Sequence, residues 1–166
     1  MPPMHTTSYP GSAATAASVR AASKRPDPIG IPTSEVVVPQ PIKPMRRLRL
    51  LLAEDDILLG MLLGEMLEEM GHEICAIEAT EADLVDAAIK YGPDLMIVNA
   101  ELGDGSGVSA VTTILRTRPV PHLFTSGDIA RVRMLRPDAV LLQKPFREPD
   151  LIRAMQRALD RSAAAI

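Results

Sequence analysis

Four short groups of residues carry side chains that could do chemistry together: Glu54-Asp55-Asp56, Asn99, Thr125-Ser126 and Lys144-Pro145-Phe146. Carboxylate oxygens suit a hard, octahedral cation such as Mg²⁺, while a hydroxyl and an ammonium group can each contact a separate oxygen of a phosphoryl group. The set therefore reads as a cation-plus-phosphoryl arrangement, provided the chain gathers it in one place. Each member also has a plainer reading alone. An acidic run complements a helix N-terminus, an asparagine ends a strand in a turn, and a lysine before proline is an ordinary exposed side chain.

The surrounding pattern says how the gathering occurs. From Leu48 onward, short apolar runs alternate with amphipathic stretches, as in a parallel α/β sheet. Strands are predicted at 48–53, 73–77, 94–99, 121–125 and 139–143, and helices at 57–70, 81–90, 107–117, 128–135 and 148–161. Gly71 is placed to end the first helix, Thr80 to cap the second, and Pro93 to block helical continuation into the third strand. Arg136-Pro137 halts the fourth helix early, predicting a single turn or an irregular segment. Ile57 to Leu67 is apolar but contains Glu65 and is too short to span a membrane, so it reads as a core helix. In an open parallel sheet, ligands bind beyond the carboxyl ends of the strands, where all four groups fall.

With the elements in place, LRLLLAEDD, PDLMIVNAEL, FTSGD and QKPF resemble, in order and spacing, the motifs of the bacterial response-regulator receiver family. The likeness covers about residues 47–162. It implies a doubly wound, five-stranded, flavodoxin-like (βα)5 fold that takes a phosphoryl group from a histidine kinase or phosphotransfer protein onto an aspartate beside Mg²⁺. By the same likeness Asp55 is a direct metal ligand, Glu54 acts through water, and the Glu101 main-chain carbonyl is a further ligand. Ser126 is the switch hydroxyl, and Lys144 contacts phosphate ahead of a cis Lys144–Pro145 bond. Asn99 stands at the phosphoacceptor position and is counted with the metal ligands through its side-chain oxygen. A carboxamide offers no anionic nucleophile, so Asn99 is not expected to accept phosphate, and Mg²⁺ binding should be weak or absent. Leu141 departs from the aromatic residue many receivers carry three positions before the lysine.

Other candidates receive structural readings. Gly103-Asp104-Gly105-Ser106-Gly107 lacks the Gly-Lys-Ser/Thr of a P-loop and reads as a loop plus helix cap. His5, His72 and His122 have no partners at ligand spacing, Met61, Met66 and Met70 read as helix packing, and Cys75 as a small buried side chain. Arg131, Arg133 and Arg136 form a basic patch, read as a solvated face.

Composition bounds the function. The 166 residues, 46% hydrophobic, allow one domain with a proper core. The formal charge of -3 excludes the overall basic field that draws proteins to nucleic acid or anionic lipid. Nine of the fifteen prolines lie in residues 1–44, so 1–45 is expected to be a disordered arm, followed by a domain over 46–162 and a short tail over 163–166. Met45 is a possible true start. No effector domain is expected after the fifth helix, so output would pass to an unknown downstream protein in the cytoplasm. The expectation is a single-domain phosphorelay receiver that is not an enzyme. A phosphorylation-independent pseudo-receiver is the alternative, and a small flavodoxin-like α/β enzyme a weaker third, opposed by aromatics at only 2% of the chain.

Overall fold

The computed structural model describes residues 44–165. The arm expected over 1–45, with His5, lies outside the described residues except for its last two positions, of which Met45 packs against the core.

Five strands, β1 (Arg49–Ala53), β2 (Glu73–Glu78), β3 (Leu95–Asn99), β6 (His122–Ser126) and β7 (Val140–Gln143), form one parallel sheet in the order β2-β1-β3-β6-β7. A two-stranded antiparallel ribbon, β4 (Glu101–Leu102) with β5 (Gly105–Ser106), follows β3 and was not expected from the sequence. Helices α1 (Ile57–Glu69), α2 (Glu81–Tyr91), α3 (Gly107–Leu115), α4 (Ile129–Leu135) and α5 (Glu148–Ala164) make the crossovers. Two expectations need correction. The fourth helix is a regular seven-residue helix, because Asp128 caps it before Arg136-Pro137 stops it. The fifth runs through the first half of the expected tail to Ala164, since Ser162-Ala163-Ala164 contains no breaker.

Strand periodicity divides the core. Alternate residues of a strand point to opposite faces, and β1 serves both. Leu51 and Ala53 join Leu84, Val98, Val111, Ile114 and Phe124 on the side of α2, α3 and α4. Leu50 and Leu52 join Leu67, Ile97, Leu123, Leu151 and Met155 on the side of α1 and α5. Strands buried on both faces need the unbroken apolar runs seen in the sequence. Edge strand β2 is only half-buried, and Cys75 with it, so that residue is less enclosed than expected.

Helix α1 reverses the usual arrangement and corrects its reading as a core helix. Its buried residues are Gly60, Gly64 and Leu67, whereas Ile57, Leu58, Met61 and Leu62 are all more than half exposed. A Cβ on Gly60 would lie 3.0 Å from Ile77 Cγ2, so the glycine face sits close on the sheet and pushes the long side chains outward. Met66 and Met70 still pack on the core, as expected, but Met61 does not.

Candidate functional site

Register brings the strand tips together. Ala53 pairs with Val98, Asn99 with Thr125, and Ser126 with Gln143, so the residues after β1 and β7 flank the last residues of β3 and β6. The Lys144 N–H donates to the Ser126 carbonyl at 2.8 Å, and the Lys144–Pro145 peptide bond is cis, as the sequence led us to expect.

Asn99 is the centre of the cluster. Its Nδ2 donates to Glu54 Oε1 at 3.2 Å and to Asp55 Oδ1 at 3.0 Å, and its Oδ1 accepts from the Glu101 N–H at 3.4 Å. Only this orientation satisfies all three partners, because carboxylates accept and a peptide N–H donates. Glu54 is buried and its Oε2 takes Lys144 Nζ at 2.7 Å. Asp55 is exposed, and its Oδ2 accepts from the Gly103 N–H at 3.1 Å. Desolvation pushes the Asp55 carboxyl up, but hydrogen bonds from the Gly103 and Asp55 N–H groups and the Asn99 amide outweigh it and hold the group below its ordinary value.

The remaining candidates divide by role. Asp56 caps α1, accepting from Leu58 and Leu59 N–H, so the third acid of the run follows the plain helix-terminus reading. Ser126 is buried and its Oγ accepts from the Asp128 N–H at 2.9 Å. Glu101 directs its carboxylate away, to Arg131 at 3.4 Å. Leu141 lies half-buried in β7. Thus Glu54, Asp55, Asn99 and Lys144 form one bonded network, with Ser126 beside it.

The donor set in this geometry does not fit a tightly held divalent ion. Mg²⁺ demands oxygen ligands around it, whereas here an amide N–H₂ faces both carboxylates and a lysine neutralises one of them. Among the described residues no group of three or more His, Cys, Asp or Glu is arranged to hold a metal.

Two supporting residues escaped the sequence reading. Glu81, at the start of α2, accepts from the Ser106 N–H and the Ser109 hydroxyl, fastening the β4–β5 ribbon beside the cluster. Gly107 lies so close to β3 that a Cβ there would stand 2.0 Å from the Asn99 carbonyl oxygen. The glycine-rich run was legible as a loop and cap, which Ser106 provides for α3, but the close approach depends on a strand distant in sequence.

No protein-family model matches the chain. It is 32% identical over 117 residues to the transcriptional regulatory protein PdtaR of Mycobacterium tuberculosis, covering 68% of this chain and 57% of that protein. It is 32% identical over 114 residues to the phyllosphere-induced regulator PhyR of Methylorubrum extorquens, covering 66% and 43%. The chain thus spans about half the length of the curated relatives it matches. It also superposes on the solution structure of the receiver domain of the Erythrobacter litoralis response regulator PhyR, with TM-score 0.63 and 31% identity, covering 69% of this chain and 91% of that one. With that domain matched over nearly its whole length, and with strand order, cis bond and strand-tip cluster as described, the chain belongs to the response-regulator receiver family.

Proposed function

We propose that this protein is a two-component phosphorelay receiver that regulates by protein–protein contact and, with Asn99 at the phosphoacceptor position, takes no phosphoryl group as it stands. The observation that carries this reading is the Asn99 side chain, whose N–H₂ group bonds both Glu54 and Asp55. A carboxamide has no anionic oxygen to attack phosphorus, and the amide occupies the electrostatic place a cation would take, so Mg²⁺ is bound weakly or not at all. The Glu101 carbonyl would be a ligand only for such a weakly held ion. Ser126 and Lys144 keep the positions from which they would engage a phosphoryl group.

The partner side of the reading rests on α1. Ile57, Leu58, Met61 and Leu62 form an exposed apolar surface beside the acid cluster, and such patches mark contact sites. It is suited to a histidine kinase or phosphotransfer protein. The work would be done in the cytoplasm, by binding and not by catalysis. Among the described residues, no helix is long and apolar enough to cross a membrane.

A second reading, a phosphorylation-independent pseudo-receiver, is favoured by Leu141 in place of an aromatic residue and by the engagement of Lys144 with Glu54. One experiment separates them. Purified Asn99→Asp, treated with acetyl phosphate and Mg²⁺, should gain an acid-labile phosphoryl group, seen by intact mass, while the parent gains none. A folded variant that stays unmodified would establish the pseudo-receiver instead, and labelling of the parent would overturn both.

A further inference from the structure

At the opposite end of the sheet from Asn99, where β6 and β7 begin, a cavity of about 400 Å³ opens between α4 and α5. Its walls are largely apolar, with Leu115, Val120, Pro121, Ala139 and Val140 among them. Three groups able to donate hydrogen bonds to a ligand line it as well, Arg136, Arg161 and Ser162, with His122 beside them. From the start to the end of β6 is about 13 Å at 3.3 Å per residue, so this cavity is separate from the strand-tip cluster.

Arg136 is held in place without being neutralised. Arg136 donates to Thr112 Oγ1 at 3.2 Å, and its guanidinium lies 5.9 Å from the Phe124 ring centroid. His122 is fixed by Val120, whose carbonyl accepts from Nδ1 at 2.9 Å, and by edge contact with Phe124. Arg131, Arg147, Arg153 and Lys144 each have a carboxylate within 4.0 Å, whereas among the described residues Arg136 and Arg161 have none. Asp138 also lines the cavity but forms no ion pair with either arginine. Burial lowers the affinity of His122 for a proton, and the charges of Arg136 and Arg161 lower it further.

We propose that this cavity is a binding site for a small phosphate monoester with an apolar body. Two guanidinium forks and a hydroxyl offer more donors than the two oxygens of a carboxylate can use, and match the three oxygens of a phosphate monoester. The apolar walls require that the phosphate be attached to something they can cover, and the volume suits a molecule of mononucleotide size or smaller. The pre-set Arg136 fork loses little freedom on binding, which favours affinity. The site does not depend on whether residue 99 accepts a phosphoryl group.

Phenyl phosphate and inorganic phosphate serve as probes in a titration of the ¹⁵N-labelled full chain followed by NMR. Phenyl phosphate should give saturable shifts confined to His122, the Arg136–Ala139 turn and Arg161–Ser162, with inorganic phosphate weaker by about tenfold. Arg161→Gln, on an exposed helix position, should weaken phenyl phosphate by about tenfold or more, while Arg147→Gln, outside the cavity, should leave it unchanged. Lack of saturation by about 10 mM, shifts spread equally over Arg133, Arg147 and Arg153, or parent-like binding by Arg161→Gln would each overturn the proposal.

Discussion

At the scale of single residues, the amide at position 99 decides how the acid cluster is balanced. Its nitrogen lies 3.2 Å from one carboxylate oxygen and 3.0 Å from another. Asn99→Asp replaces that donor with a third carboxylate, and two unit charges about 4 Å apart repel by roughly 4 kcal/mol at an effective dielectric of 20. We expect Asn99→Asp to melt several degrees below the parent in EDTA and to recover much of the loss in Mg²⁺, while the parent changes little. Thermal melts of both proteins with and without the ion check this, and a parent that melts lower than the variant in EDTA would contradict it. The acid pair, Asn99, Ser126 and Lys144 were all legible as types at the right spacing. Their hydrogen bonds were not, because spacing says which groups meet but not which atom of an amide faces which acid.

At the scale of elements, glycines set how closely helices approach the sheet. At Gly107 an added methyl would meet the backbone oxygen of Asn99 at 2.0 Å, and a strand carbonyl cannot give way. Gly107→Ala should therefore cost about 3 kcal/mol or more, at the upper end for overpacking, or prevent folding. At Gly64 the nearest atom is Ile77 Cδ1 at 3.2 Å, the far end of a flexible, partly exposed side chain. There the gain in helix propensity, about 1 kcal/mol, can outweigh a small shift, so Gly64→Ala should be neutral or slightly stabilising. Urea unfolding of the two variants tests the contrast. The sequence placed the five strands and five helices to within a few residues, since periodicity and caps are local. It left open which face of α1 is buried, because residues 57–64 are all apolar or glycine and do not reveal that two glycines offer the closer approach.

At the scale of the whole molecule, charge is divided between the two ends of the sheet. Residues 54–104 hold fourteen acids and one base, and residues 129–164 hold eight bases and four acids. The strand order carries the first set, with α1 and α2, toward the β2 edge and the second toward β7. Two buried or half-buried histidines add a global dependence on pH. His72 accepts the Leu48 N–H on Nδ1, and burial holds its affinity for a proton down. His122 is shifted the same way, first by burial. Below about pH 6.5 the unfolded chain takes up protons that the fold resists, so stability should fall between pH 7 and 5. The lowered Asp55 group adds a further loss below about pH 4, as its carboxylate is protonated. Melting midpoints from pH 7 down to about pH 2 check both steps, and His72→Gln should flatten the first. A midpoint that stays constant from pH 7 to 5 would contradict the histidine part.

What the sequence determined by itself was the order of elements, the residue types at the strand tips, and the loss of an anionic nucleophile at position 99, because patterning and covalent chemistry are local properties. Tertiary structure alone decided that the Asn99 amide bridges two carboxylates, that Glu81 and Gly107 fasten and admit the neighbouring ribbon and helix, that α1 turns its long side chains outward, and that Arg136, Arg161 and His122 share a cavity. Each of these depends on segments far apart in the chain coming within a few ångströms, and a linear pattern does not encode such distances.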